Sequence, residues 1–244
     1  MRSFWLAWSF LTRVPTPEVA DISASDLARA TRWYPVVGLA VGTVQIAALT
    51  AGSWAVGPLF GAVLAVAAGE WFTRGLHLDG LADCLDGLLV NGDRDRRLAV
   101  MKDPHVGGLG AAGVALWVAL RMGAVQASVD HALVVPALLG GAVLARSVLA
   151  VDILAFPAAS PAGLYATLRG VVGRRDVAVA LAFGLIAAAG VCWASPLRGG
   201  LAVAGVLALP LFWHRAWVQK LGGINGDVLG AAVQIRELWV WACL

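Results

Sequence analysis

Long apolar runs alternate with short polar segments along the whole chain. The runs cover roughly 34–53, 56–72, 107–127, 132–156, 177–194, 199–217 and 228–244. Most approach the ~20 residues that a helix needs to cross the hydrocarbon core of a bilayer. A span in lipid must satisfy its own backbone hydrogen bonds, so each run is predicted to be a helix. The last run is the weakest, because Gln234, Arg236 and Glu237 interrupt it. Trp33, Trp54, Trp71, Trp193, Trp213 and Trp217 fall near predicted ends, where an aromatic belt lies. The opening MRSFWLAWSFLTRVPTP has about nine apolar residues before Pro15 and Pro17 and no small-residue cleavage site. It is predicted to be a short interfacial helix. No repeat or low-complexity linker divides the chain. The expected fold is all-α: one polytopic membrane domain over 1–244, with about seven transmembrane helices plus the N-terminal interfacial helix.

Composition agrees. The chain is 60% hydrophobic and 14% charged, and mean hydropathy is +0.80. A soluble domain is about half apolar and a quarter charged. Three well-separated cysteines suggest reduced thiols. The net charge of +3 leaves no footprint for nucleic acid, and none is expected as a partner. Basic residues are distributed unevenly. The N-terminus and the segments 73–106, 157–176 and 218–227, with Arg215, hold fourteen; the alternate loops hold only Arg198. The positive-inside rule then predicts a cytoplasmic N-terminus and cytoplasmic long loops.

Against this apolar background, GLHLDGLADCLDGL at 75–88 stands out. Asp79, Asp83 and Asp86 are spaced i, i+4, i+7, within about 60° of arc on one helix face. Leu81, Leu85 and Leu88 take the other side. Like charges at this spacing destabilise a helix, and a divalent cation would resolve the repulsion; carboxylate oxygens suit Mg²⁺. The plain alternative is a solvated acidic face. His77 reads as a structural histidine before a ligand, and Cys84 as packing. Two further clusters precede predicted spans. MKDPHVGGLG at 101–110 places Lys102, Asp103 and His105 before a Gly-rich entry that is able to bind phosphate or simply to pack. GGINGDVLG at 222–230 places Asn225 and Asp227 at a helix start, where Asp227 reads as an N-cap. Arg121 and Arg146 lie inside spans, as buried ion-pair partners or as contacts for an anionic substrate. FLTRVPTP, with Arg13, reads as a membrane anchor. All four clusters map to the cytoplasmic side, which predicts one metal-bearing cavity there for a phosphate-containing substrate.

The segments FLTRVPTP, YPVVGLAVG, GLHLDGLADCLDGL, MKDPHVGGLG and GGINGDVLGAAVQIREL occur in the same order as in the cobalamin synthase family, also called adenosylcobinamide-GDP ribazoletransferase. The chain resembles that family over nearly its whole length. Asp83, Asp86 and Gly87 also fit the DxxDG element of CDP-alcohol phosphotransferases, but Leu88, Leu89, Val90 and Asn91 depart from the rest of that pattern. His105 stands where the synthases commonly have arginine, and Asn225 where they commonly have threonine. The resemblance implies a Mg²⁺-dependent enzyme of the bacterial inner membrane. In it, α-ribazole or its 5′-phosphate displaces GMP from adenosylcobinamide-GDP. On this reading Asp79, Asp83 and Asp86 hold metal. Asp83, Asp86 and Asp227 are the catalytic candidates, and Lys102, His105, Arg13, Arg146 and Asn225 are the candidate substrate contacts. Membrane lipid is an expected partner; a homo-oligomer or association with other cobalamin-assembly enzymes is compatible with the sequence. A transporter is the rival reading, against which the acids cluster at one end of the spans and not at midplane.

Overall fold

The computed structural model describes Met1–Leu244, and every regular element in it is helical. Helix α1 (Arg2–Leu11) buries Leu6, Ala7 and Leu11 and is too short to cross a bilayer. It is tied to the end of a later helix: the Arg13 amide donates to the Phe72 carbonyl at 3.0 Å, and Arg74 Nη2 donates to the Ser9 and Phe10 carbonyls at 2.9 Å each. Helix α2 (Ala24–Ala30) starts at a reciprocal Ser23–Asp26 capping box. It leads through a single 3₁₀ turn into α3 (Tyr34–Ala55).

Helix α4 (Pro58–Phe72) returns beside α3. It ends where Arg74 and Gly75 adopt φ of +59° and +67°. That left-handed corner suits glycine and sends α5 (Leu76–Leu89) off at 91° to α4. At 14 residues α5 is too short to cross by itself. A small helix, α6 (Arg94–Val100), precedes α7 (Gly108–Asp130). The next run is one span in three pieces: a π turn at Pro136–Gly140, then α8 (Gly141–Ser147) and α9 (Leu149–Ala155). An amphipathic helix, α10 (Leu164–Val171), precedes the antiparallel pair α11 (Arg174–Ala194) and α12 (Pro196–Leu221), and α13 (Gly226–Cys243) closes the chain.

The all-α polytopic class is the one expected, but the span count differs. Five helices, taking the 136–155 run as one, are long and apolar enough to cross a membrane, or up to six if the bent α4–α5 pair counts as one. Two of the seven expected spans account for the difference. The run at 56–72 is 15 residues of helix before the sharp corner. The run at 228–244 is the 18-residue α13, which carries Asp227, Arg236 and Glu237. Helix α13 lies inside the bundle, packed on α5, α7, α8 and α12, so its charges face protein and not lipid. Arg121 binds Glu70, Gln234 and Glu237. Arg146 Nη1 is 2.6 Å from Glu237. Arg236 grips Asp152 through both terminal nitrogens at 2.7 and 3.0 Å.

Candidate active site

The polar clusters of the sequence meet at one end of the bundle, around α5. The helix buries His77, Gly80, Leu81, Ala82, Cys84 and Gly87. Asp79 is exposed, and Asp83 and Asp86 are half-buried. The helix and its acidic face are therefore as expected. Its last turn is closed by Arg97 of α6, whose Nη1 donates to the Gly87 and Leu88 carbonyls at 2.7 and 2.8 Å. A cation there satisfies orphan carbonyls and complements the helix dipole. Arg94 ties the same region to two loops, donating to the Leu221 and Ala159 carbonyls at 2.9 and 2.6 Å.

Asp86 is employed differently from its two companions. Its carboxylate accepts the Gly107 and Gly110 amides, each at 2.8 Å. A Cβ at either glycine would collide with that carboxylate. The Gly-rich entry to α7 is thus an anion site on which Asp86 is the anion, an arrangement that is neither the phosphate cradle nor the simple packing that MKDPHVGGLG left open. The cap of α13 also differs from expectation: it is Asn225, whose Oδ1 accepts the Val228 amide at 3.0 Å. Asn225 Nδ2 donates to Asp227 Oδ2 at 2.8 Å. Helices α5 and α13 cross at Gly80, where a Cβ would fall 2.9 Å from the Asp227 carbonyl oxygen. Only a glycine permits that approach, and it brings Asp227 into the field of Asp79 and Asp83.

None of Asp79, Asp83, Asp86 and Asp227 makes an ion pair with a lysine or arginine. Burial, and then the charges of Asp227, Asp79 and Asp86, push the Asp83 carboxyl up to about 7. The four do not close into a cage, since no three His, Cys, Asp or Glu side chains meet at ligating distance. An open hollow of ≈ 610 Å³ runs beside Asp79, between α5 and the start of α7.

The other candidates scatter. His105 shares a shallow hollow with Asp86, and its ring Nδ1 sits 2.9 Å from Asp103. The His105 amide, which donates to the same carboxylate at 2.9 Å, and then the ring hold the Asp103 carboxyl below its usual range. Lys102 is exposed on the same loop. Arg13 lies apart from the acids, its guanidinium 4.1 Å from the Trp71 ring centroid. Arg146 is 1% exposed, and its Nη1 donates to Glu237 and to the Ala142 carbonyl, the buried ion pair that was one of its two readings. Sequence reading passed over Glu70, Asp152, Arg94 and Arg97. The signal for the first two was present, as ionisable residues within apolar runs. The two arginines had none, because their partners are carbonyls remote in sequence.

A family model described as cobalamin-5-phosphate synthase matches residues 3–244. The chain is 31% identical to the adenosylcobinamide-GDP ribazoletransferase of Desulfitobacterium hafniense, over 98% of this chain and 94% of that protein. The protein of the same name in Ralstonia nicotianae is 34% identical, over 100% and 95%. The one in Leptothrix cholodnii is 36% identical, over 97% and 92%. No solved structure matches. The chain belongs to the cobalamin-5-phosphate synthase family.

Proposed function

We propose that this member of the cobalamin-5-phosphate synthase family transfers the adenosylcobinamide phosphate moiety of adenosylcobinamide-GDP to α-ribazole or its 5′-phosphate, releasing GMP. The observation that carries the reading is the group of four carboxylates without a protein cation at the α5–α13 crossing. A ribazole hydroxyl oxygen attacks the phosphorus attached to adenosylcobinamide. The bond from that phosphorus to the bridging oxygen breaks, and the oxygen leaves on GMP. Such displacements are catalysed by positioning and charge neutralisation.

The donor set supports Mg²⁺, which takes one or two protein carboxylates and completes its shell with water and substrate phosphates. Asp79 and Asp83 would hold it, and when bound it supplies the positive charge that offsets the diphosphate. Asp227 receives the hydroxyl proton on Oδ1, since Oδ2 is held by Asn225. Asp86 is a positioning residue that locks α5 to the start of α7. Lys102 and His105 are exposed on the loop before that junction, and there they would meet phosphate oxygens. The uneven distribution of basic residues supports a bacterial inner-membrane location with this end cytoplasmic.

The test is GMP release from adenosylcobinamide-GDP by purified protein, with and without α-ribazole, with Mg²⁺ or EDTA. Ribazole-dependent release that EDTA abolishes is expected. No release from folded protein under any of these conditions overturns the reading and returns the transporter to first place.

A further inference from the structure

A second cavity lies behind Asp227, less open than the hollow at Asp79. Its volume is ≈ 240 Å³, below the ~300–1,000 Å³ of pockets that enclose whole drug-sized ligands. Its walls are mostly apolar: Leu11 of α1, Leu149 and Ile153 of α9, Leu168 of α10 and Val233 of α13. Four polar side chains interrupt them. Tyr165 donates its hydroxyl to the Phe156 carbonyl at 3.0 Å. Asp227 stands where the cavity meets the acid cluster. Tyr34 is 5% exposed, and its hydroxyl has no hydrogen-bond partner within the protein. His77 is also 5% exposed. Its Nδ1 lies 3.4 Å from Arg146 Nη2. A guanidinium only donates, so Nδ1 accepts and the ring proton sits on Nε2. That Nε2–H has no protein partner, and the ring lines the cavity.

We infer that this cavity seats the apolar bicyclic aromatic base of the acceptor nucleoside, an inference that rests on the transferase reading above. The chemistry matches on three counts. A benzimidazole base is flat, apolar and without donors, and it has one free acceptor nitrogen, which the His77 Nε2–H serves. Guanine would carry several donors and acceptors into apolar walls that leave them unpaired. A corrin does not fit the volume. With the base seated, the ribose leaves the cavity past Asp227, the residue assigned to take its hydroxyl proton, and enters the acid cluster.

The test uses the full chain in detergent, with ribazole binding measured by equilibrium dialysis and the two KM values measured by GMP release. Leu168→Trp fills the cavity. It is expected to raise the ribazole Kd and KM about tenfold or more, equivalent to about 1.4 kcal/mol, while the adenosylcobinamide-GDP KM stays unchanged. Leu164→Trp, at the exposed rim, is expected to act in the same direction and serves if the first variant does not fold. A ribazole analogue with carbon in place of the free ring nitrogen is expected to bind about three- to tenfold more weakly to wild type, as for one lost hydrogen bond, and without a deficit relative to ribazole in His77→Phe. Wild type that turns over, with variants whose ribazole KM is unaltered, overturns the cavity assignment alone. The same holds if the tryptophan variants expel a co-purified lipid chain without changing the ribazole KM. Wild type that neither binds ribazole nor releases GMP overturns the transferase reading itself.

Discussion

Glu70 and Glu237 lie inside the bundle against Arg121 and Arg146. Asp79, Asp83, Asp86 and Asp227 lie at one end of it and meet no lysine or arginine at all. The inner acids are buried but matched, with two guanidinium groups facing two carboxylates and Gln234 bridging Arg121 and Glu70. The outer acids are partly exposed but unmatched, held together by a glycine crossing and by backbone amides. A buried pair removed from water needs its partner to survive. A cluster that repels itself has been given no cationic partner by the protein. The first arrangement builds the bundle, and the second is where the proposed metal would bind.

Breaking each region should therefore give opposite results. Glu237→Ala leaves Arg121 and Arg146 buried without one of their two carboxylates. It is expected to cost about 3–5 kcal/mol of stability, read as a large drop in the thermal midpoint in detergent. Asp83→Asn should do the reverse. Its GMP release is expected to fall by about 10²–10³-fold, the scale of losing one preorganised charge contact at a reacting centre. Its thermal midpoint in EDTA should hold or rise, because like-charge repulsion is relieved. A drop in stability like that of Glu237→Ala would erase the contrast. Asp86→Ala tests the junction between α5 and α7: losing two charge-assisted bonds at the α7 N-terminus is expected to cost about 1–2 kcal/mol. Slower amide exchange at Gly107 and Gly110 in that variant would argue against the assignment.

A further expected effect is a pH dependence. The Asp83 carboxyl is raised to about 7 in the folded protein from an ordinary value of 3.8, by burial first and then by its acidic neighbours. Between these values the folded state holds more protons than the unfolded one, so stability from this group falls as pH rises through that window and then levels. The decline should appear in EDTA and be absent in Asp83→Asn. A flat profile in wild type would mean that Asp83 is not strained by its neighbours.

Several features were legible in the sequence because they are local. The 3.6-residue periodicity marks α5 and its acidic face, and Pro15 and Pro17 follow a stretch too short to span. The long apolar runs mark the spans. Other features were not legible because their partners are remote. Nothing near Asp86 reveals that its oxygens reach amides 21 and 24 residues away. Nothing near Arg146 reveals Glu237, 91 residues on. The interrupted run at 228–244 looked like a poor span because hydropathy assumes lipid on the outside, whereas α13 is surrounded by other helices.

The sequence by itself determined that this chain is a helical membrane protein, which segments carry chemistry and which family it resembles, since composition, period and motif are properties of neighbouring residues. Only the tertiary structure decided which acids are paired. It seated Asp86 on a helix start, carried Asp227 to Asp83 across Gly80, and left a cavity behind them. Charge pairing and enclosure depend on distances in space, and those are set by how helices far apart in sequence pack together.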